Sequence, residues 1–111
     1  MSIYTATISA QNTSVYVCDM KKSRNNNDWF ANVAATGTFG SGTVSFQISH
    51  DSGTTKLTMN QDGTATAASL TAAGSLNLRG GVSDTNTAPK LYATIGAATN
   101  PSLTIVAITN E

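Results

Sequence analysis

Apolar and polar residues alternate with a period of two through most of this chain, and helical periodicity appears almost nowhere. Successive strand residues point to opposite faces, so this pattern gives an extended chain one apolar side and one polar side. Residues 43–49 are the clearest case: Val44, Phe46 and Ile48 fall on one side, Ser45, Gln47 and Ser49 on the other. Residues 2–9 set Tyr4, Ala6 and Ile8 against Ile3, Thr5 and Thr7. Residues 15–20 place Val15, Val17 and Asp19 together, and residues 29–39 carry Trp29, Ala31 and Val33, then small residues, then Phe39. Residues 56–59 put Leu57 and Met59 on one face, and residues 75–78 do the same for Leu76 and Leu78. Residues 90–95 set Leu91, Ala93 and Ile95 opposite Tyr92. Residues 102–109 are apolar on both faces, which calls for a central strand or one covered on both sides. Residues 64–70 alternate threonine and alanine more weakly; a strand is favoured over a short helix across 65–73, because threonines and flanking glycines oppose the helix.

Turn residues separate these runs: Gly40-Ser41-Gly42, Asp51-Ser52-Gly53, Gln61-Asp62-Gly63, Ala73-Gly74, Arg79-Gly80-Gly81 and Asn100-Pro101. About eight short strands at roughly ten-residue spacing predict an all-β fold, an antiparallel β-sandwich of immunoglobulin-like or jelly-roll-like type. A closed barrel is less suitable, since several of the strands are short and polar. A length of 111 residues fits one domain spanning the whole sequence.

Charged residues make up 11% of the chain, against roughly 25% in a typical globular protein. Hydroxyl, amide and glycine residues take their place, and with 40% hydrophobic residues the chain has the means to close a core. Net charge is +0, which disfavours a nucleic-acid partner, because phosphate binding needs a clustered surplus of Lys and Arg. No run reaches the eighteen or so apolar residues of a membrane helix, so no membrane association is expected. The N-terminus enters alternating sequence at once, without the regions of a leader peptide, and Cys18 is the single cysteine. Both features lead us to expect synthesis in a reducing cytoplasm.

Candidates for chemistry are few. His50-Asp51-Ser52 holds the residue types of a hydrolase triad, but contiguous residues on a turn cannot converge as a triad must. Asp51, Asp62 and Asp84 suit calcium only if their loops meet, and Asp before Gly is ordinary turn chemistry. Cys18 lies in an apolar run, where a lone cysteine acts as a small buried hydrophobe. No phosphate-binding loop, dinucleotide motif or zinc spacing occurs. The expectation is a binding or assembly protein without enzymatic activity or cofactor. The best candidate for partner contact is the polar loop at residues 21–28, with Lys21, Lys22, Arg24, Asn25, Asn26 and Asn27, together with Trp29. Only one of Trp29 and Phe30 can face the core of a regular strand, and Trp29 is favoured inward; exposed, it would anchor an interface.

Residues 38–55 (TFGSGTVSFQISHDSGTT) and 90–105 (KLYATIGAATNPSLTI) resemble small structural proteins of tailed bacteriophage virions. In those proteins a G-x-G/A-T-V-x-hydrophobic-Q strand enters an S-x-D-G-G-T-T turn, and in a closing hairpin a Y-A-T-I strand leads through a small-residue turn to a final S-L-T-I strand. The likeness covers about a third of the chain. It departs at Ser52, where the family tends to have glycine, and at Lys56, where an aromatic often follows the two threonines. The resemblance implies a capsid decoration, or cement, protein on the virion surface. Such a protein binds the major capsid protein of the same phage, as a homo-oligomer or as copies clustered on the lattice. Alternatives from other classes are a tail, head–tail connector or fibre subunit, and a glycan-binding module that stacks sugars on Trp29, Tyr92 or Tyr16.

Overall fold

A computed structural model of the chain describes residues 2–22, 29–51, 53–60, 68–80 and 89–109. The alternating runs become strands β1 (Ser2–Ile8), β2 (Thr13–Asp19), β3 (Lys21–Lys22), β4 (Trp29–Thr38), β5 (Val44–Ser49), β6 (Leu57–Thr58), β7 (Ser69–Leu70), β8 (Gly74–Gly80), β9 (Lys90–Ile95) and β10 (Ser102–Thr109). All pairings are antiparallel and fall into two sheets. In the first, β10 lies between β1 and β4, and β8 runs along β4 from Trp29 to Ala35. That occupies one flank of β4, so β3, paired to Trp29 and Phe30, continues the opposite flank beyond β10. In the second sheet, β9 lies between β2 and β5, while β6 and β7 share the far flank of β5.

Two pairs of these strands act as single strands. Only Met20 separates β2 from β3; its N–H donates to the Pro89 carbonyl (2.9 Å) where the chain passes from one sheet to the other. Met59 and Ala68 join β6 and β7 through backbone hydrogen bonds to Phe46 and to each other. The ten strands thus reduce to eight, in neighbour order 1-8-3-6 and 2-7-4-5. That is the connectivity of a two-sheet jelly roll, one of the two sandwich types expected.

The inward faces are those given by the alternation. Phe46, Ile8, Met20, Leu78, Leu91, Ile95, Ile105, Val33 and Val44 are fully buried, each contributing about 1.5–3 kcal/mol of apolar burial. Trp29 faces the core at 5% exposure, and β10 is central, as its two apolar faces require. Several expectations need correction. The register of β2 on β9 shifts between Tyr16 and Cys18, a β-bulge that turns Val17 and Cys18 both inward and moves Asp19 to the outer face. Leu57 stands opposite the buried Ile48 yet remains 56% exposed, because it lies at the sheet edge. Arg79 and Gly80 continue β8 and form no turn. Residues 90–105 do not make a hairpin, since β9 and β10 belong to different sheets. Lys21 and Lys22, read as part of the polar loop, form a strand, and residues 23–28 lie outside the described residues. Within 65–73, Ser69 and Leu70 are strand, and residues 61–67 lie outside the described residues.

The corner between β4 and β5 needs glycine. Gly40 and Ser41 have φ of 62° and 64°, and the Gly42 N–H donates to the Phe39 carbonyl (3.0 Å), the geometry of a type I′ turn. A Cβ at Gly40 would collide with the Thr99 carbonyl oxygen. Gly40→Ala is expected to cost on the order of 2 kcal/mol or more, read as a lower urea midpoint. Thr109 is wholly buried and its hydroxyl has no hydrogen-bond partner among the described residues. Thr109→Val keeps the shape and removes that desolvated group, so it should raise unfolding stability by about 1–2 kcal/mol in the same assay.

Candidate functional site

The outer face of the second sheet carries the most organised set of polar side chains among the described residues. Register places Tyr16 beside Tyr92, Ser14 beside Thr94, and Asp19 beside Lys90; on the other flank of β9, Gln47 lies beside Tyr92. The bulge makes this possible. Without it, Asp19 would share the inward phase of Val15 and Val17; with it, Cys18 takes the core position and Asp19 faces outward. The Tyr16 hydroxyl donates to Asp19 Oδ1 (2.9 Å), and Lys90 Nζ donates to the same oxygen (3.1 Å). The Tyr16 and Tyr92 rings meet edge to face with centroids 5.9 Å apart, a favoured arrangement for aromatic pairs. Lys90 Nζ sits 5.2 Å from the centroid of Tyr16 and Lys56 Nζ 5.1 Å from that of Tyr92, both within cation–π range. Lys56 thus stands over a tyrosine at the position where the resembled proteins tend to have an aromatic. Thr94 Oγ1 lies 2.8 Å from Gln47 Oε1 and 2.9 Å from Ser14 Oγ. The amide oxygen can only accept, so the threonine donates to it and accepts from the serine.

The charges on this face follow from those contacts. Partial desolvation, then the hydrogen bond to Asp19 and its charge, push the Tyr16 phenol up to about 12. Partial desolvation also raises Asp19, but the Lys90 ammonium and the Tyr16 hydroxyl outweigh it and hold the carboxyl below its ordinary value. A carboxyl lowered in the folded state contributes stability above its unfolded value, near ~3.9, and loses it as pH falls through the folded one. Both members of the Lys90–Asp19 pair are more than a third exposed, so the contribution is small.

The other candidates have structural employment. Asp51 Oδ1 accepts from the Thr55 N–H (2.7 Å) and the Ser49 hydroxyl (2.7 Å), and these bonds hold its carboxyl down to about 2. Ser49 Oγ in turn accepts from the Gly53 N–H (2.8 Å), which satisfies an otherwise buried serine. The carboxylate of His50-Asp51-Ser52 is therefore committed to its own turn, and Ser52 lies outside the described residues. That turn also abuts the tyrosine face: a Cβ at Gly53 would come 2.7 Å from the Tyr92 hydroxyl oxygen. Cys18 is buried, and burial followed by the Asp19 charge pushes its thiol up to about 11 against an opposing pull from Lys21, keeping it protonated. Asp62 and Asp84, proposed with Asp51 for calcium, lie outside the described residues. Among the described residues no three His, Cys, Asp or Glu side chains gather as metal ligands would.

Of the residues singled out for partner contact, Lys21, Lys22 and Trp29 are among the described residues. Trp29 is a core residue, which withdraws it as a surface anchor. Lys21 and Lys22 pair with Phe30 and Trp29 in β3, and Arg24, Asn25, Asn26 and Asn27 lie outside the described residues. Sequence reasoning missed Asp19 and Lys90 as partners. Tyr16 and Tyr92, each an aromatic between two inward apolar residues, were its available signal. At the opposite end, a shallow hollow of about 470 Å³ between the 9–11 and 98–101 turns has no ionisable group in its lining.

No protein-family model matches this chain, and comparisons with the curated proteins and with the solved structures return no match. Among the described residues no helix is long and apolar enough to cross a membrane.

If Asp19 is what holds the Tyr16 proton, Asp19→Ala should lower the Tyr16 titration midpoint from about 12 toward the ordinary phenol value of 10.0, followed by phenolate absorbance. A midpoint unmoved by the substitution would assign the shift to desolvation alone.

Proposed function

We propose that this chain is a non-enzymatic structural protein of a bacteriophage virion, a decoration protein that binds and stabilises the assembled capsid. The observation that carries the reading is where the two resembling segments fall. Residues 38–55 supply β5 and its turn, and residues 90–105 supply β9 and the first half of β10; β5 and β9 pair from Val44–Ile95 to Ser49–Lys90, while β10 lies in the other sheet. The likeness therefore takes in the two paired central strands of the second sheet and part of the central strand β10 of the first. Support also comes from the commitment of Asp51 to a turn and of Cys18 and Trp29 to the interior, which leaves faces and edges as the accessible features. A protein that binds only the assembled shell stabilises that shell by mass action, and low charge allows copies to sit densely on a lattice. Its partner in this reading is the major capsid protein, with copies clustered on the virion surface.

One observation favours a second reading. Tyr16, 48% exposed, and Tyr92 line one face beside Asp19, Lys90, Gln47 and Thr94, an arrangement suited to stacking and hydrogen bonding of a sugar. Jelly-roll domains serve in both viral capsids and lectins, so the topology suits either reading and selects neither. The test is to mix purified protein with capsids lacking it. Saturable binding and a higher capsid disruption temperature are expected. Failure to bind, with glycan-array binding abolished by Tyr16→Ala, would replace the capsid reading with the sugar one.

A further inference from the structure

Each sheet of a sandwich ends in two edge strands whose outer backbone groups can pair with another strand, and proteins ordinarily block such edges with charge, proline, bulges or shortness. Three of the four edges here are blocked in one of these ways. β2 carries the bulge at Tyr16 and Cys18 and ends in Asp19. The far edge of the second sheet is broken into β6 and β7, two residues each, and is preceded by Lys56. β8 is bounded by Gly74 and Gly80 and carries Arg79.

β1 is different. It is seven residues long, SIYTATI, in unbroken register with β10, without charge, proline, glycine or bulge. Among the described residues only β10 pairs with it. Its outward row of Ile3, Thr5 and Thr7 is exposed, with Ile3 at 60%, and continues across the sheet into Ile108 and Val106.

We propose that the outer edge of β1 along Ile3–Thr7 pairs with the same edge of a second copy, joining two sandwiches through one continuous antiparallel sheet. The choice of a second copy rests on self-complementarity. In an isologous interface the same patch meets itself, so a net charge on the strand would meet the same net charge on its copy. β1 has none. With the two-fold axis at Thr5, Thr5 faces its own copy, Ile3 faces Thr7, and Tyr4 faces Ala6. These are β-branched and aromatic pairs of the sort that favour cross-strand packing. The main-chain ladder supplies the association and the small side chains let it close. This goes beyond the capsid reading and is tested on the protein alone, so the two can fail separately.

The experiment is light scattering over a concentration series, combined with amide hydrogen exchange. The wild type should show a concentration-dependent species of twice the 11.4 kDa chain mass, with amides of Ile3–Ile8 exchanging more slowly as it forms. Thr5→Lys, on the exposed row, should weaken association about tenfold or more, because two ammonium groups would face each other across the axis. Thr5→Val should leave it intact. A protein monomeric at all concentrations would overturn the proposal. So would a dimer that protects β8 in place of β1, or one that survives Thr5→Lys.

Discussion

The apolar face of each sheet is covered by the apolar face of the other, and the rest of the molecule is arranged around that requirement. Phe46, Leu91 and Ile95 from one sheet and Val33, Leu78 and Ile105 from the other are wholly buried. Because strands consecutive in sequence mostly belong to opposite sheets, the chain must turn sharply at the ends of the sandwich. Three of these corners sit together at one end, and each uses left-handed backbone: Asn12 at φ 55°, Gly40 and Ser41 at 62° and 64°, and Asn100 at 49°. They are tied to one another as well. The Asn12 N–H donates to the Gly96 carbonyl, the Thr99 N–H to the Gly40 carbonyl, and the Ala98 N–H to Gln11 Oε1. Asparagine and glycine tolerate such φ values, so this end is held by backbone hydrogen bonds where a Cβ would often not fit.

Closing the core sends nearly all polar side chains outward, and the two outer faces differ. The second sheet gathers ionised and aromatic groups around Tyr16, Asp19, Lys90 and Tyr92, each partnered by a neighbour. Along β1 and β10 the first sheet shows hydroxyl and aliphatic side chains, with Ile3, Val106 and Ile108 in adjoining rows, and further across Asn32 is bonded to Asn77. One side thus offers directional, charge-assisted contacts and the other a row of uncharged side chains leading to the edge of β1. Contact through faces and edges is the common ground of the capsid and sugar readings. The outer edge of β1 adds a route by which copies join.

Groups that might have suggested catalysis are part of the same economy. Asp51 closes the β5–β6 connection by accepting from Ser49 and Thr55, and that turn in turn braces Tyr92 through the close approach of Gly53. Cys18 fills the core position that the bulge in β2 opens, which is what permits Asp19 to reach Lys90.

Period-two patterning is a local property of the chain, and it made the strands, their inward faces, the central place of β10 and the inward Trp29 legible in sequence. It also gave the all-β sandwich of about eight strands. What the sequence could not give was anything that depends on which strand meets which. A bulge changes the phase of every residue after it, so simple alternation puts Asp19 on the inner face, whereas its pairing with Lys90 puts it on the outer one. Leu57 has the right phase but no sheet above it, and phase carries no information about cover. β9 and β10 read as a hairpin because local turn chemistry is alike whether the next strand returns to the same sheet or crosses to the other. The Tyr16–Asp19–Lys90 contact joins residues 71 positions apart, so only tertiary structure, by laying β2 against β9, brought it into being.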